Sequence, residues 1–134
     1  MRIIAGSARG TPLVAPRGMD TRPTQDKVKE SLFSILRNDL EGVRVLDLFA
    51  GSGALGLEAV SRGAKSAVFC DNAKDSISAV NANIKKLGYE DRCRVYHCDW
   101  ERALSAMASG GDRFDIVFID PPYGAGISDK AAAT

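Results

Sequence analysis

The sequence has no apolar run approaching the ~18 residues that a membrane span requires. Behind its opening Met1-Arg2-Ile3-Ile4-Ala5-Gly6 there is no long apolar stretch of the kind a signal peptide carries. No membrane partner is expected, and a cytoplasmic location is. Cysteine is scarce: Cys70, Cys93 and Cys98 are odd in number and widely spaced, which argues against a disulfide framework. Cys93 and Cys98 lie five apart in an expected strand, so they point to opposite faces and cannot share a metal there. They read as reduced, buried thiols, and no metal site is expected. His97 is the only histidine, which leaves a histidine-based triad without partners. Repeats and low-complexity tracts are absent as well, which excludes solenoid architectures.

What remains is an ordinary globular balance. Apolar residues make up 45% and charged residues 26% of the 134, one domain by length, with enough apolar side chains for a core. The net charge of +1 is unevenly spread. Residues 1–37 hold seven basic side chains (Arg2, Arg9, Arg17, Arg22, Lys27, Lys29, Arg37) against three acids (Asp20, Asp26, Glu30), a surplus of four positive charges. Such an N-terminal segment on a near-neutral body fits an arm that contacts polyanions.

Residues 2–15 read as a β-hairpin, two short apolar runs flanking a turn-rich Ser-Ala-Arg-Gly-Thr-Pro. A linker follows at Asp20–Pro23. A helix is expected over Gln25–Arg37 with Thr24 as its N-cap and Val28, Leu32, Ile35 and Leu36 on one face. The arm is thus 1–23 and the body 24–134. In the body, strands expected at Val43–Phe49, Ser66–Cys70, Arg94–Cys98 and Phe114–Ile119 alternate with helices. These are expected at Ala54–Ser61, at Ala73–Leu87, where Ile77, Val80, Ile84 and Leu87 recur at helical spacing and Gly88 terminates, and in a short stretch after Asp99. This alternation predicts an α/β fold with a parallel sheet and helices on both faces.

The turn after the first strand carries Gly51, Gly53 and Gly56 in the spacing G-x-G-x-x-G. Glycine is expected there because a Cβ would block the backbone's approach to a ligand. Asp71 ends the second strand 20 residues past Gly51, where an acid can take the ribose hydroxyls of an adenosine ligand. Asp47 separates a nicotinamide dinucleotide from other adenosine ligands. A pyrophosphate is poorly served by a carboxylate four residues before the first glycine. The ammonium and sulfonium of S-adenosylmethionine are favoured by it. The stretch "DLFAGSGALG" therefore resembles motif I of the class I methyltransferases.

Asp120-Pro121-Pro122-Tyr123 follows the fourth strand, at the end of a parallel sheet where ligands bind. It matches the Asp/Asn-Pro-Pro-Tyr/Phe motif of amino-methyltransferases. An exocyclic base amine is a poor nucleophile because its lone pair is delocalised into the ring. The Asp120 carboxylate and Pro121 carbonyl can accept its two N–H bonds and draw the nitrogen toward tetrahedral geometry. Pro121 and Pro122 stiffen the backbone that holds both acceptors, and Tyr123 offers a ring for stacking. Asp99, ending the third strand, resembles the acid that contacts the cofactor's adenine amine, though it could equally cap the helix that follows. Phe49, Asn72 and Trp100 complete the expected cofactor set.

The runs "RIIAGSARG", "TRPTQDKVKESLF", "DLFAGSGALGLEA" and "IDPPYG" occur in the order and spacing of the bacterial 16S rRNA guanine-N2 methyltransferases, the small-subunit methyltransferase D family, which the chain resembles from Arg2 to Gly126. The resemblance implies a Rossmann-like class I methyltransferase fold, S-adenosylmethionine as cofactor, and methylation of a guanine N2 in 16S rRNA (guanine 966 in the usual bacterial numbering) during small-subunit assembly. It also implies an arm that grips RNA, with Arg2, Arg9, Arg17 and Arg22 as the contacts. Adenine-N6 methylation of DNA uses the same Pro-Pro logic and is the alternative enzyme; a non-catalytic RNA-binding fragment is the alternative outside catalysis. Class I sheets have seven strands in the order 3-2-1-4-5-7-6, of which four are read here. The chain is thus expected to be truncated, with the fourth strand left at an edge open to pairing with a second copy.

Overall fold

The computed structural model describes residues 2–16 and 23–119. Its elements are α1 (Pro23–Leu36), β1 (Arg44–Asp47), α2 (Ala54–Ser61), β2 (Ser66–Asp71), α3 (Lys74–Leu87), β3 (Cys93–His97), α4 (Trp100–Ser109) and β4 (Ile116–Phe118). The strands form one parallel sheet in the order β3-β2-β1-β4. The chain therefore steps outward from β1 to β3 and returns to the opposite side of β1. The resulting switch point lies at the carboxyl ends of β1 and β4, the place where open α/β sheets bind ligands.

The central strands β1 and β2 bury side chains on both faces because helices cover both. Val45 and Phe69 pack with Phe33, Leu57, Val80 and Ile84 under α1, α2 and α3. Leu46, Leu48 and Cys70 pack with Ala103 and Met107 of α4. The alternation along β1, with Val45 to one side and Leu46 to the other, is the period of two a strand imposes. Gly88 ends α3 in the left-handed region at φ 73°, with Lys85 and Lys86 in the last turn, where cations meet the negative end of the helix dipole.

Four expectations need correction. The α1 helix starts at Pro23, so Thr24 lies inside its first turn, where proline's missing N–H costs nothing. Its buried face is also rotated: Val28 and Ile35 are 69% and 78% exposed, whereas Lys29 and Phe33 are buried. The inward face runs through 29, 32, 33 and 36, and a count of apolar residues alone passes over the lysine. The N-terminal hairpin reduces to one antiparallel bridge, Arg2 with Pro12, closed by Ile3 N–H to Thr11 O at 2.9 Å and Gly10 N–H to Ile3 O at 2.8 Å. Arg9 N–H and Thr11 N–H close turns within the arm, and Ile4, Ala5, Ser7, Ala8 and Val14 bond to helices instead of to a second strand. Finally, β1 and β4 are shorter than their apolar runs, since only Val45, Leu46 and Asp47 find partners in Ile116, Val117 and Phe118.

The arm is seated by buried polar side chains. Glu58 of α2 is fully buried and accepts from the N–H groups of Ile4 at 2.9 Å and Ala5 at 3.1 Å. It pairs with Lys29 at 3.1 Å and Arg62 at 2.8 Å, and Lys29 donates onward to Arg2 O. Burial pushes the Glu58 carboxyl up, but Arg62, the Ile4 N–H and Lys29 outweigh it and hold it below its ordinary value. Ser61 donates to Ala5 O and accepts from Ala8 N–H. Gly6, at φ 89°, lies so close that a Cβ would stand 1.9 Å from Ser61 O.

Candidate cofactor site

The site is built where β1 and β2 end and α2 begins. Asp47, the last residue of β1, is buried and its Oδ2 accepts from Gly56 N–H at 3.2 Å, one of the donors a helix's first turn leaves without an intrahelical partner. The turn between them is tied down at Ala50, whose N–H donates to Cys70 O at 3.1 Å and whose carbonyl accepts from Gly53 N–H at 2.7 Å.

The three glycines serve two purposes, which corrects the single reason expected for them. Gly51, at φ 57°, has no atom within 4 Å of where a Cβ would be; its side of the turn is open to a ligand. A Cβ on Gly53 would lie 2.5 Å from Val80 Cγ2, and one on Gly56 would lie 2.4 Å from Phe69 Cε1. These two permit close packing of α2 against α3 and β2, and only Gly51 presents open backbone.

Asp71 ends β2 half-buried. Its Oδ2 accepts from Gly51 N–H at 3.0 Å and its Oδ1 from Ala73 N–H at 2.9 Å. The carboxylate therefore braces the glycine turn while keeping lone pairs for further donors. Asn72 is exposed and its carbonyl accepts from His97 Nε2 at 3.0 Å, so the histidine ties the ends of β2 and β3 together. Asp99 is exposed, two residues beyond β3, and caps α4 by accepting from Arg102 N–H at 2.8 Å. Phe49 and Trp100 are half-buried and pack at the margin of the α4 cluster. The structure thus sets Asp47, Asp71 and Asp99 at the ends of three adjacent strands. Asp120, Pro121, Pro122, Tyr123, Arg17 and Arg22 lie outside the described residues. Arg2 and Arg9 are exposed on the arm.

The thiols stay protonated at neutral pH. Burial pushes Cys70 up to about 12, helped by Cys98 and Asp47 beside it, and pushes Cys93 up to about 12. Cys93 packs on the α1–α3 side and Cys98 on the α4 side.

One residue was not anticipated. Asn83 of α3 is fully buried. Its Oδ1 accepts from Val14 N–H at 2.7 Å, and its Nδ2 donates to Val14 O at 2.9 Å and to Ser52 O at 2.8 Å. The signal was a polar residue lodged between Val80 and Ile84 on the buried stripe of α3.

Known proteins resemble this chain in sequence and fold. The chain matches the family described as "Conserved hypothetical protein 95" over residues 1–133. It is 48% identical over 123 residues to "Putative rRNA methyltransferase YlbH" of Bacillus subtilis, covering 92% of this chain and 67% of that protein. It is 38% identical over 130 residues to "Ribosomal RNA small subunit methyltransferase D" of Escherichia coli K12, covering 97% and 64%. The solved structure of "Putative methyltransferase yhhF" from Escherichia coli superposes with a TM-score of 0.82 at 38% identity, covering 98% of this chain and 69% of the other. A SAM-dependent methyltransferase from Agrobacterium tumefaciens superposes at 0.64 with 25% identity, over 78% and 34%. The chain spans about two thirds of the length of the curated relatives it matches. The sheet is that of the class I methyltransferases, and the chain belongs to the Conserved hypothetical protein 95 family, the family of the small-subunit methyltransferase D proteins.

Proposed function

We propose that this chain supplies the S-adenosylmethionine site and the methyl-accepting motif of an enzyme that methylates the exocyclic N2 of a guanine in 16S rRNA. The observation that carries the reading is the open Gly51 turn, braced by Asp71 and backed by Asp47, at the switch point of the sheet. The residues fit the cofactor. The open side of Gly51 admits the amino-acid end, Asp47 supplies negative charge close to a cationic ligand, and Asp71 keeps acceptor capacity for ribose hydroxyls. Asp99 keeps an exposed carboxylate for the adenine amine, with Phe49, Asn72 and Trp100 around it.

When bound, S-adenosylmethionine supplies an electrophilic methyl group on a sulfonium. The chain's own part is to present the amine. The last described residue of the β4 segment, Ile119, directly precedes Asp120 in sequence. Under this reading the Asp120 carboxylate and Pro121 carbonyl accept the two guanine N–H bonds, Pro122 stiffens the turn and Tyr123 stacks on the base. Methyl transfer would release the cofactor as S-adenosylhomocysteine, and the proton displaced from the amine would pass to solvent. Asp120 gains most as the amine becomes tetrahedral, so it acts on turnover more than on binding.

Arg2, Arg9, Arg17 and Arg22 add sequence-independent, salt-dependent grip on RNA, so the arm, 1–23, serves the substrate and the body, 24–134, the cofactor. Among the described residues no helix is long and apolar enough to cross a membrane, and a cytoplasmic location follows from a ribosomal substrate. Among the described residues β4 pairs with β1 alone, which supports edge-to-edge pairing of two copies along β4. Sedimentation of the purified chain should show a dimer; a monodisperse monomer would contradict that pairing.

The test of the activity is nucleoside analysis of 16S rRNA from cells with and without the intact gene. N2-methylguanosine should be lost without the gene and restored by the wild type but not by Asp120→Ala. Full methylation in cells lacking the gene would contradict the proposal.

A further inference from the structure

Asn83 joins two regions that the proposed function keeps apart. It is fully buried, and it uses both amide donors and its carbonyl acceptor at once. Two bonds go to the arm, at the N–H and C=O of Val14, and the third goes to the carbonyl of Ser52 in the glycine turn. Ser52 lies between Gly51, whose Cβ side is open, and Gly53, which packs on Val80 one helical turn before Asn83. The same helix therefore holds the turn through Val80 and Asn83 and the arm through Asn83 and Lys86, whose Nζ donates to Pro12 O at 2.8 Å. If the arm lifts, Asn83 loses two of its three hydrogen bonds and its amide is free to rotate away from Ser52.

We propose that Asn83 is a positioning residue that couples seating of the arm near Val14 to the geometry of the cofactor turn. Whatever holds the arm down at Val14 then tightens S-adenosylmethionine binding, and by linkage the cofactor tightens the arm at Val14 by the same factor. This rests on the function proposed above, in which the ligand that seats the arm is RNA. The enzyme would thus bind its methyl donor best when its substrate is in place.

The probe is S-adenosylhomocysteine, titrated by calorimetry into the wild-type chain and four variants, with thermal midpoints measured alongside. Val14→Pro removes the N–H that Asn83 accepts while changing a half-exposed side chain in the arm. It should weaken binding by about tenfold, the loss of one buried hydrogen bond transmitted to the turn. Asn83→Ala should weaken it by at least as much, and the double variant no further, because both cut one path. Ser7→Ala is the control: it breaks the 2.7 Å hydroxyl contact with Tyr89, loosening the arm at a point without a bond to Asn83. It should lower the thermal midpoint and leave affinity unchanged. Should Val14→Pro fail to fold, Lys86→Ala reads the same coupling as a loss of roughly two- to threefold. Val14→Pro (or Lys86→Ala in its place) with wild-type affinity, Ser7→Ala as weak as Val14→Pro, or additive losses would each overturn the coupling while leaving the cofactor site intact. A wild-type chain that does not bind S-adenosylhomocysteine would overturn the cofactor reading, and the coupling with it.

Discussion

The two faces of the sheet are closed in different ways. On one, α1, α2, α3 and the arm bury a large cluster, and the seams between them are sealed by polar groups with full sets of partners, Glu58, Ser61 and Asn83. On the other, α4 covers a small cluster around Leu46 and Cys70, while Val117 and Tyr96 stay exposed. The glycine turn belongs to the first face: Gly53 and Gly56 are pinned against Val80 and Phe69. A cofactor cradle gains from rigid backing, because its donors and acceptors must be in place before the ligand arrives. Among the described residues, the thinly covered face and the outer side of β4 lie away from the turn that forms the cradle.

The contrast breaks most severely at Glu58. Removing it by Glu58→Ala takes a buried carboxylate away from Lys29 and Arg62 and strips two arm N–H groups of their acceptor. A loss of about 3–5 kcal/mol in denaturant unfolding is expected. The same carboxylate gives the closed face a pH dependence. Its folded pKa is depressed, so its stabilisation is complete above the unfolded value and is lost as pH falls below that and through the folded one. Amide exchange in the arm should accelerate there before exchange in α4 does.

Next in size is Gly56→Ala, whose Cβ would meet Phe69 at 2.4 Å and should cost about 1–3 kcal/mol through overpacking. Gly51→Ala meets no atom, so its penalty in the unliganded protein is confined to the positive φ, about 1 kcal/mol, and its larger effect should be on cofactor affinity. Equal stability losses for the two would remove the distinction between packing and ligand-facing glycines. Smallest is Val117→Thr on the open face, expected within about 0.5 kcal/mol in unfolding experiments. A larger loss would mean that this face is covered in solution.

The parts legible in the sequence carry strong local signals. The G-x-G-x-x-G turn between strand and helix, the acids closing successive strands, and the apolar stripe of α3 each follow from a short-range rule, and β1, β2, α2 and α3 lie close to where those rules put them. What was not legible depends on partners distant in sequence. Lys29 faces inward because Glu58, 29 residues away, is there to pair with it, and this turned the buried face of α1. The arm forgoes a full hairpin because Glu58, Ser61 and Asn83 take its backbone groups. Asn83 reads as an interruption in an apolar stripe until Val14 and Ser52 are seen around it. Spacing places the glycines correctly, but which of them faces a ligand is decided by Val80 and Phe69, which no local pattern names.

The account rests on a cofactor cradle at the end of β1 and β2, and Asp71 is its most exposed structural commitment, since the same carboxylate braces Gly51 and is to hold the ribose. Calorimetric titration of S-adenosylhomocysteine into the wild-type chain and Asp71→Ala tests it directly. The account predicts binding by the wild type and a loss of roughly tenfold to a hundredfold in the variant, the cost of removing charge-assisted hydrogen bonds. Equal affinity in the two proteins would contradict it.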